Sequence, residues 1–323
     1  MNLLCEIALQ KTFPRSERPA VFEKEVLKGG MELPNWGIKL IRRLEEKGFE
    51  AYAVGGCVRD MLLGKKPEDY DFAVSALPDE TKQALNGVPV FDTGLRHGTV
   101  TAVVDGHAAE ITTYRTESGY SDFRRPDKVG FTRSLSEDLS RRDFTVNAMA
   151  FHPERGLVDC FGGKEDLKNR ILKCVGEPER RFREDALRIL RCLRFSSALE
   201  FAIEEDTRQA LLKHRELLKK IAPERLQAEF SKLILGEWAE QVLTEYLPVF
   251  QVFLPEAGQR RSALSWLPAE KKLRLAGVFS GCTRDETARA LERLRYDGKA
   301  IRTVTTLERY RQVPRETDRR QAR

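Results

Sequence analysis

The sequence predicts an α+β chain, with a small mixed-sheet unit first and a wholly helical unit after it. Three observations lead there. Short apolar runs of strand and helix type alternate between Ala51 and Phe151. Two β-rich runs, Thr99–Val104 and residues 108–114, flank Asp105-Gly106, a dipeptide suited to the positive φ angles of a two-residue hairpin. Beyond Arg181 the apolar residues keep helical spacing through 186–199, 207–218, 224–235 and 287–294.

Taken in order, residues 1–30 read as an arm. They mix charges with Pro14 and Pro19 and end in the breaker pair Gly29-Gly30. The folded unit is expected to start near Met31, and the arm is either an extension or the product of an upstream start codon. Ile38, Leu40, Ile41 and Leu44 then predict a helix. A strand at Ala51–Val54, a helix at 58–63, a strand at 70–75 and a helix at 80–85 lead to the hairpin. The mixed unit spans 31–151. Gly162-Gly163 marks a bridge into a neck, 152–235, and 236–323 forms a helical body with a basic tail.

A chain of 323 residues has room for two or three domains. With 33% charged and 41% hydrophobic residues it is globular, neither disordered nor collagen-like. Lys and Arg number 56 against 50 Asp and Glu, a net +6 that favours a polyanionic partner. Much of that surplus lies between Lys299 and Arg323. No apolar run approaches the roughly 18 residues of a membrane helix. The run at 3–9 is broken by Glu6 and lacks a basic lead, so no signal peptide is expected. Six cysteines without a C-x-x-C pair argue against a disulfide framework or a thiolate zinc site and for a reducing cytoplasm. The four histidines form no H-E-x-x-H.

Chemistry concentrates in four places. Asp69 and Asp71 flank Tyr70; on a strand they share one face, and two adjacent carboxylates call for a cation between them. Hard oxygen donors in that number suit Mg²⁺, which completes its shell with water and phosphate. An acidic turn after Pro67 is the plain alternative. Upstream, Val54-Gly55-Gly56-Cys57-Val58-Arg59 runs from strand to helix. Glycines there let backbone N–H groups approach a phosphate, and Arg59 adds a charged donor. Glu110 is either a third acid at this site or a solvated strand glutamate. Arg141-Arg142-Asp143 precedes an apolar stretch, with Arg142 a candidate nucleotide contact and Asp143 and Asn147 its polar supports; an ordinary capped helix start is the alternative. Last, Glu184, Asp185, Arg188 and Arg191 gather on one face of a helix expected from about 183, with Arg188, Arg191 and Arg194 forming a positive ridge. Such i,i+3 and i,i+4 pairs also occur on ordinary solvated faces.

Together these segments resemble the class II tRNA nucleotidyltransferases, which comprise CCA-adding enzymes and their poly(A) polymerase relatives. The resemblance covers about residues 50–235 and is carried by residues 54–60, 69–71, 110–115, 141–148, 156–163, 184–188 and 224–226 in that order. It implies a polymerase-β-like nucleotidyltransferase head with a mixed sheet, followed by an all-helical neck and body. Asp69 and Asp71 would hold Mg²⁺ and, with Glu110, serve catalysis. Gly55, Gly56, Arg59, Arg191 and Arg194 would bind the triphosphate, Arg142 would touch the nucleotide, and Asp185 and Arg188 would read the base. A carboxylate beside a guanidinium offers acceptor then donor, matching the amino group and bare ring nitrogen of C and A and mismatching U and G. The implied substrates are CTP, ATP and the 3′ acceptor end of tRNA, with no membrane partner. A-only addition or poly(A) synthesis would use the same residues, and a non-catalytic RNA-binding protein is the alternative from another class.

In this family the loop after the catalytic hairpin separates CC-only enzymes from the rest, and here residues 116–127 carry it intact. Cys160 and Glu200 stand where proline and glycine are usual. The chain is shorter than most relatives and matches weakly beyond about 250. Its end, with Arg309, Arg311, Arg315, Arg319, Arg320 and Arg323, reads either as phosphate contacts or as a solvated terminus.

Overall fold

Helix α1 (Asn35–Glu45) buries Trp36, Leu40, Ile41 and Leu44 along one stripe, as their spacing predicts. The computed structural model describes residues 31–119, 128–258 and 264–311; the arm, most of the loop at 116–127 and the last twelve residues lie outside it. β1 (Ala51–Val54), α2 (Gly56–Leu62), β2 (Asp71–Val74) and α3 (Pro78–Ala84) follow, and then β3 (Val90–Gly94), β4 (Thr99–Val104) and β5 (His107–Thr113). At the β4–β5 turn Asp105 has φ 49° and Gly106 φ 81°, the two positive values that Asp-Gly was expected to supply.

β6 (Arg115–Ser118) and β7 (Lys128–Phe131) form a separate ribbon, α4 (Leu135–Ser140) follows, and β8 (Met149–His152) and β9 (Gly156–Asp159) return to the main sheet. That sheet has seven strands in the order β3-β4-β5-β2-β1-β8-β9 and is mixed, because β2 and β5 pair in parallel. The sequence boundary near Phe151 thus falls inside β8, and the sheet itself continues to Asp159. Both sheet faces are covered. Ala51 and Ala53 of β1 join the main core, whereas Tyr52 and Val54 point to a smaller cluster with Ala73, Tyr114 and Leu139 of α4.

The helical half begins with α5 (Gly163–Asn169), where Gly163 is required: a Cβ there would lie 2.2 Å from the Thr145 carbonyl oxygen. After β10 (Ile171–Leu172) come α6 (Pro178–Glu184) and α7 (Leu187–Leu199), with β11 (Ala202–Ile203) pairing back to β10. The helix expected from about 183 is therefore two. Asp185 is extended (φ −134°, ψ 104°), and its side chain accepts from Leu187 N at 3.1 Å, diverting the backbone donor at the start of α7. α8 (Glu205–His214) packs on α6, α9 (Pro223–Leu233) and α10 (Ala239–Glu245) pack on α7, α11 (Leu247–Phe250) rests against α10, and α12 (Lys271–Val278) and α13 (Arg284–Arg293) pack on α14 (Gly298–Arg311) to close the body. One apolar core runs from Leu33 to Val304, so head and helices are joined by burial and not only by chain.

Candidate active site

Where the sheet meets α7 and α9, a cleft of about 800 Å³ gathers every predicted site residue except Glu110. Asp71 opens β2 and Asp69 lies just before the strand, not within it. Tyr70 between them turns the other way, edge-on to Trp36 at 5.5 Å, which leaves both acids facing the cleft. Glu110 sits beside Asp71 in register on β5 but outside the cleft lining. Crowding by the surrounding chain, then the Glu110 charge, push the Asp71 carboxyl above its usual range, with Arg142 opposing them and Asp69 adding to the rise.

Among the described residues neither Asp69 nor Asp71 forms an ion pair. Two unpaired carboxylates form a donor set that fits Mg²⁺ shared with substrate phosphates; among the described residues no group of three or more His, Cys, Asp or Glu is placed to hold a metal by itself.

Gly55 has φ 78° and ψ −129°, a conformation open only to glycine, and its N–H donates to Met149 O at 3.1 Å. A Cβ at Gly55 would stand 2.8 Å from Arg142 Nη1, so the guanidinium lies directly over the glycine. Cys57, buried behind them, is pushed up to about 11 chiefly by burial and stays a thiol.

The arginines are held by carboxylates that sequence patterns mostly did not single out. Asp138, fully buried on α4, receives Arg141 Nη2 at 2.8 Å, Arg142 Nη2 at 3.4 Å and the Arg115 backbone N–H at 3.2 Å. Asp143 accepts from Arg191 Nε at 2.9 Å and from Asn147 Nδ2 at 3.1 Å, and Asn147 Oδ1 accepts from Arg59 Nη1 at 2.7 Å. One buried acid thus orients Arg191 directly and Arg59 through an amide. Burial alone would raise the Asp143 pKa, but the Arg191 charge and hydrogen bonds, with Asn147 and Arg188 helping, hold it far below the carboxylate range. Glu229 of α9 stands 2.6 Å from Arg194 Nε and 3.8 Å from Arg191 Nη1.

Phe195 completes the arrangement, its ring meeting the guanidinium carbons of Arg194 at 3.9 Å, Arg59 at 5.2 Å and Arg191 at 5.5 Å. No motif marked Phe195 or Glu229; Phe195 joins Arg59 of α2 to its own helix, and Glu229 meets the arginines only when α9 packs on α7.

Asp185 and Arg188 line the same cleft without pairing to each other. Asp185 meets Arg225 of α9 at 3.2 Å, while Arg188, 8% exposed, donates to Glu184 at 2.9 Å and to Arg141 O at 3.0 Å. The i,i+4 pair of Glu184 and Arg188 forms across the helix break at 2.9 Å.

Two family models match the chain: "Poly A polymerase head domain" over residues 51–173 and "Probable RNA and SrmB- binding site of polymerase A" over 200–257. A CCA-adding enzyme of Lactobacillus delbrueckii subsp. bulgaricus is 53% identical over 208 residues, 64% of this chain and 52% of that protein. One of Leuconostoc mesenteroides subsp. mesenteroides is 43% identical over 270 residues, covering 81% and 64%. The chain spans about half the length of the first of these relatives. Among solved structures, the Bacillus stearothermophilus CCA-adding enzyme in complex with CTP superposes with a TM-score of 0.71 at 36% identity, over 85% of this chain and 69% of that one. With the head and the following helical segment matched by the two models, and with 36% identity to a solved relative over 69% of that chain, the chain belongs to the class II CCA-adding enzyme and poly(A) polymerase family.

Proposed function

We propose that this chain adds the 3′-terminal CCA to tRNA from CTP and ATP without a nucleic-acid template, releasing pyrophosphate. The observation that carries it is the cleft itself, where two unpaired carboxylates face a wall of arginines already fixed by acids. In the reaction the RNA 3′-oxygen bonds to the α-phosphorus as the bond from that phosphorus to the pyrophosphate oxygen breaks. Asp69 and Asp71 would hold Mg²⁺, which when bound would supply Lewis acidity for the attacking hydroxyl and the departing pyrophosphate. Arg59, Arg191 and Arg194 receive the triphosphate, and their prior fixation means little reorganisation accompanies charge development. Arg142, over Gly55, borders the nucleotide. Glu110 tunes Asp71 from the adjacent strand.

Asp185 and Arg188 read the base in this account. Each is oriented by a partner of its own, Arg225 for the acid and Glu184 for the base. A mismatched U or G sets acceptor against acceptor and donor against donor at this carboxylate and guanidinium, which discriminates far better than size. In domain terms, residues 31–151 with the sheet's last strand form the catalytic head, 152–235 the neck that carries recognition, and 236–311 the body that faces RNA.

No helix among the described residues is long and apolar enough to cross a membrane. Among the described residues five cysteines are free, four of them buried, which accords with a reducing cytoplasm as the site of action.

Incorporation assays test the reading: tRNA ending just before CCA, after C and after CC, with CTP alone, ATP alone, both, and UTP. Sequential addition of C, C and A with UTP refused is the expected result. ATP incorporation without any CTP incorporation would replace it with A-only or poly(A) synthesis.

A further inference from the structure

We propose that Lys232 is a phosphate-binding residue of the cleft, standing beyond the arginine row of α7; the inference rests on the nucleotidyl-transfer reading above. All eight arginines that line the cleft have a carboxylate partner. Lys232 lines it too, is exposed, and has no side-chain partner among the described residues. Beside guanidinium groups that carboxylates already hold in place, its ammonium adds a positive charge to the cleft that no acid answers among the described residues.

Its place along α9 says which part of a ligand it meets. Arg225, Glu229 and Lys232 follow at i, i+4 and i+7 and so share one stripe of the helix. Arg225 pairs with Asp185, at the base-reading end, and Glu229 holds Arg191 and Arg194, at the triphosphate end. With a rise of ~1.5 Å per residue, Lys232 stands about 4.5 Å beyond Glu229 in the same direction. The row therefore runs from base reader to phosphate binders and ends on a lone cation. A compact ammonium on a flexible stem suits a phosphate oxygen reached from varied angles, where a rigid fork does not. The competing explanation is that a lysine in the last turn merely favours the helix dipole, an effect that touches stability alone.

A phosphate there comes from the nucleotide's terminal phosphate or from a phosphodiester of the RNA. Both are tested on the full chain with Lys232→Met and Lys232→Arg, by equilibrium binding of inorganic tripolyphosphate and of tRNA lacking CCA, alongside KM, kcat and urea midpoints. Lys232→Met should weaken one ligand roughly tenfold, as expected for a charge-assisted contact. Lys232→Arg should restore most of it, with the urea midpoint unmoved. Loss confined to tripolyphosphate assigns the nucleotide; loss confined to tRNA, with a salt slope lower by about one, assigns the RNA backbone. Unchanged binding of both overturns the proposal, as does a weakening that merely tracks a fall in stability. Absence of nucleotide incorporation by the unmodified chain would refute the proposed function while leaving both binding arms readable.

Discussion

Replacing Asp143 with asparagine removes one buried charge and should disturb two arginines at once. Asparagine can still accept from Phe144 N, which Asp143 does at 2.8 Å, but it either turns an NH₂ toward Arg191 Nε or surrenders that backbone bond. Breaking a buried pair by deleting one member costs about 3–5 kcal/mol, and a charge-assisted hydrogen bond alone about 1.5–3. Arg191 keeps 33% of its side chain exposed and has Glu229 at 3.8 Å, so solvent and a second acid absorb part of the loss. The expected cost is about 2 kcal/mol. With a urea slope of roughly 2 kcal/mol per M, the midpoint should fall by about 1 M. KM for CTP should rise roughly tenfold, because Arg191 loses its charged partner while Asn147, the anchor of Arg59, is left with a neutral and weaker acceptor.

The pH dependence follows from sign. The folded pKa of Asp143 lies below its unfolded value near ~3.9, so the stabilisation is complete above that pH and lost as pH falls toward the folded value. The gap between wild type and Asp143→Asn should be flat from about pH 7 to 5 and narrow below about 4. An unchanged midpoint with KM within about twofold of wild type would refute the reasoning.

Other perturbations separate the remaining roles. Phe195→Leu stays apolar but loses the ring beside three guanidinium groups, so triphosphate affinity should fall about tenfold in equilibrium titration with the fold intact. Asp185→Ala should admit UTP in the incorporation assay more than it raises KM for CTP; full exclusion of UTP would remove Asp185 from base reading. Glu200 caps α7 with φ 59°, the left-handed region, so Glu200→Gly should raise stability by about 0.5–1 kcal/mol in urea titration.

The elements that local chemistry dictates were legible in the sequence. Asp105-Gly106 specified its turn, and the strand at Ala51–Val54 and the stripe of α1 follow from spacing alone. β8 and β9 were missed because Ala148–Phe151 read equally well as an apolar helix start, and only pairing with β1 decides it. The break at Asp185 carries neither proline nor glycine; a side chain seizing the Leu187 N–H makes it, and helical periodicity is blind to that. Most of the site was readable because its residues sit inside short ordered motifs. Asp138, Phe195, Glu229 and Lys232 were not, since each acquires its role from elements distant in sequence that meet only on folding.

Single-turnover addition of labelled CMP to tRNA lacking CCA, by wild type and Asp71→Asn with RNA binding measured on the same samples, tests the central claim most directly. The account predicts a rate loss on the order of a thousandfold with RNA affinity nearly unchanged. Equal rates from the two proteins would contradict it.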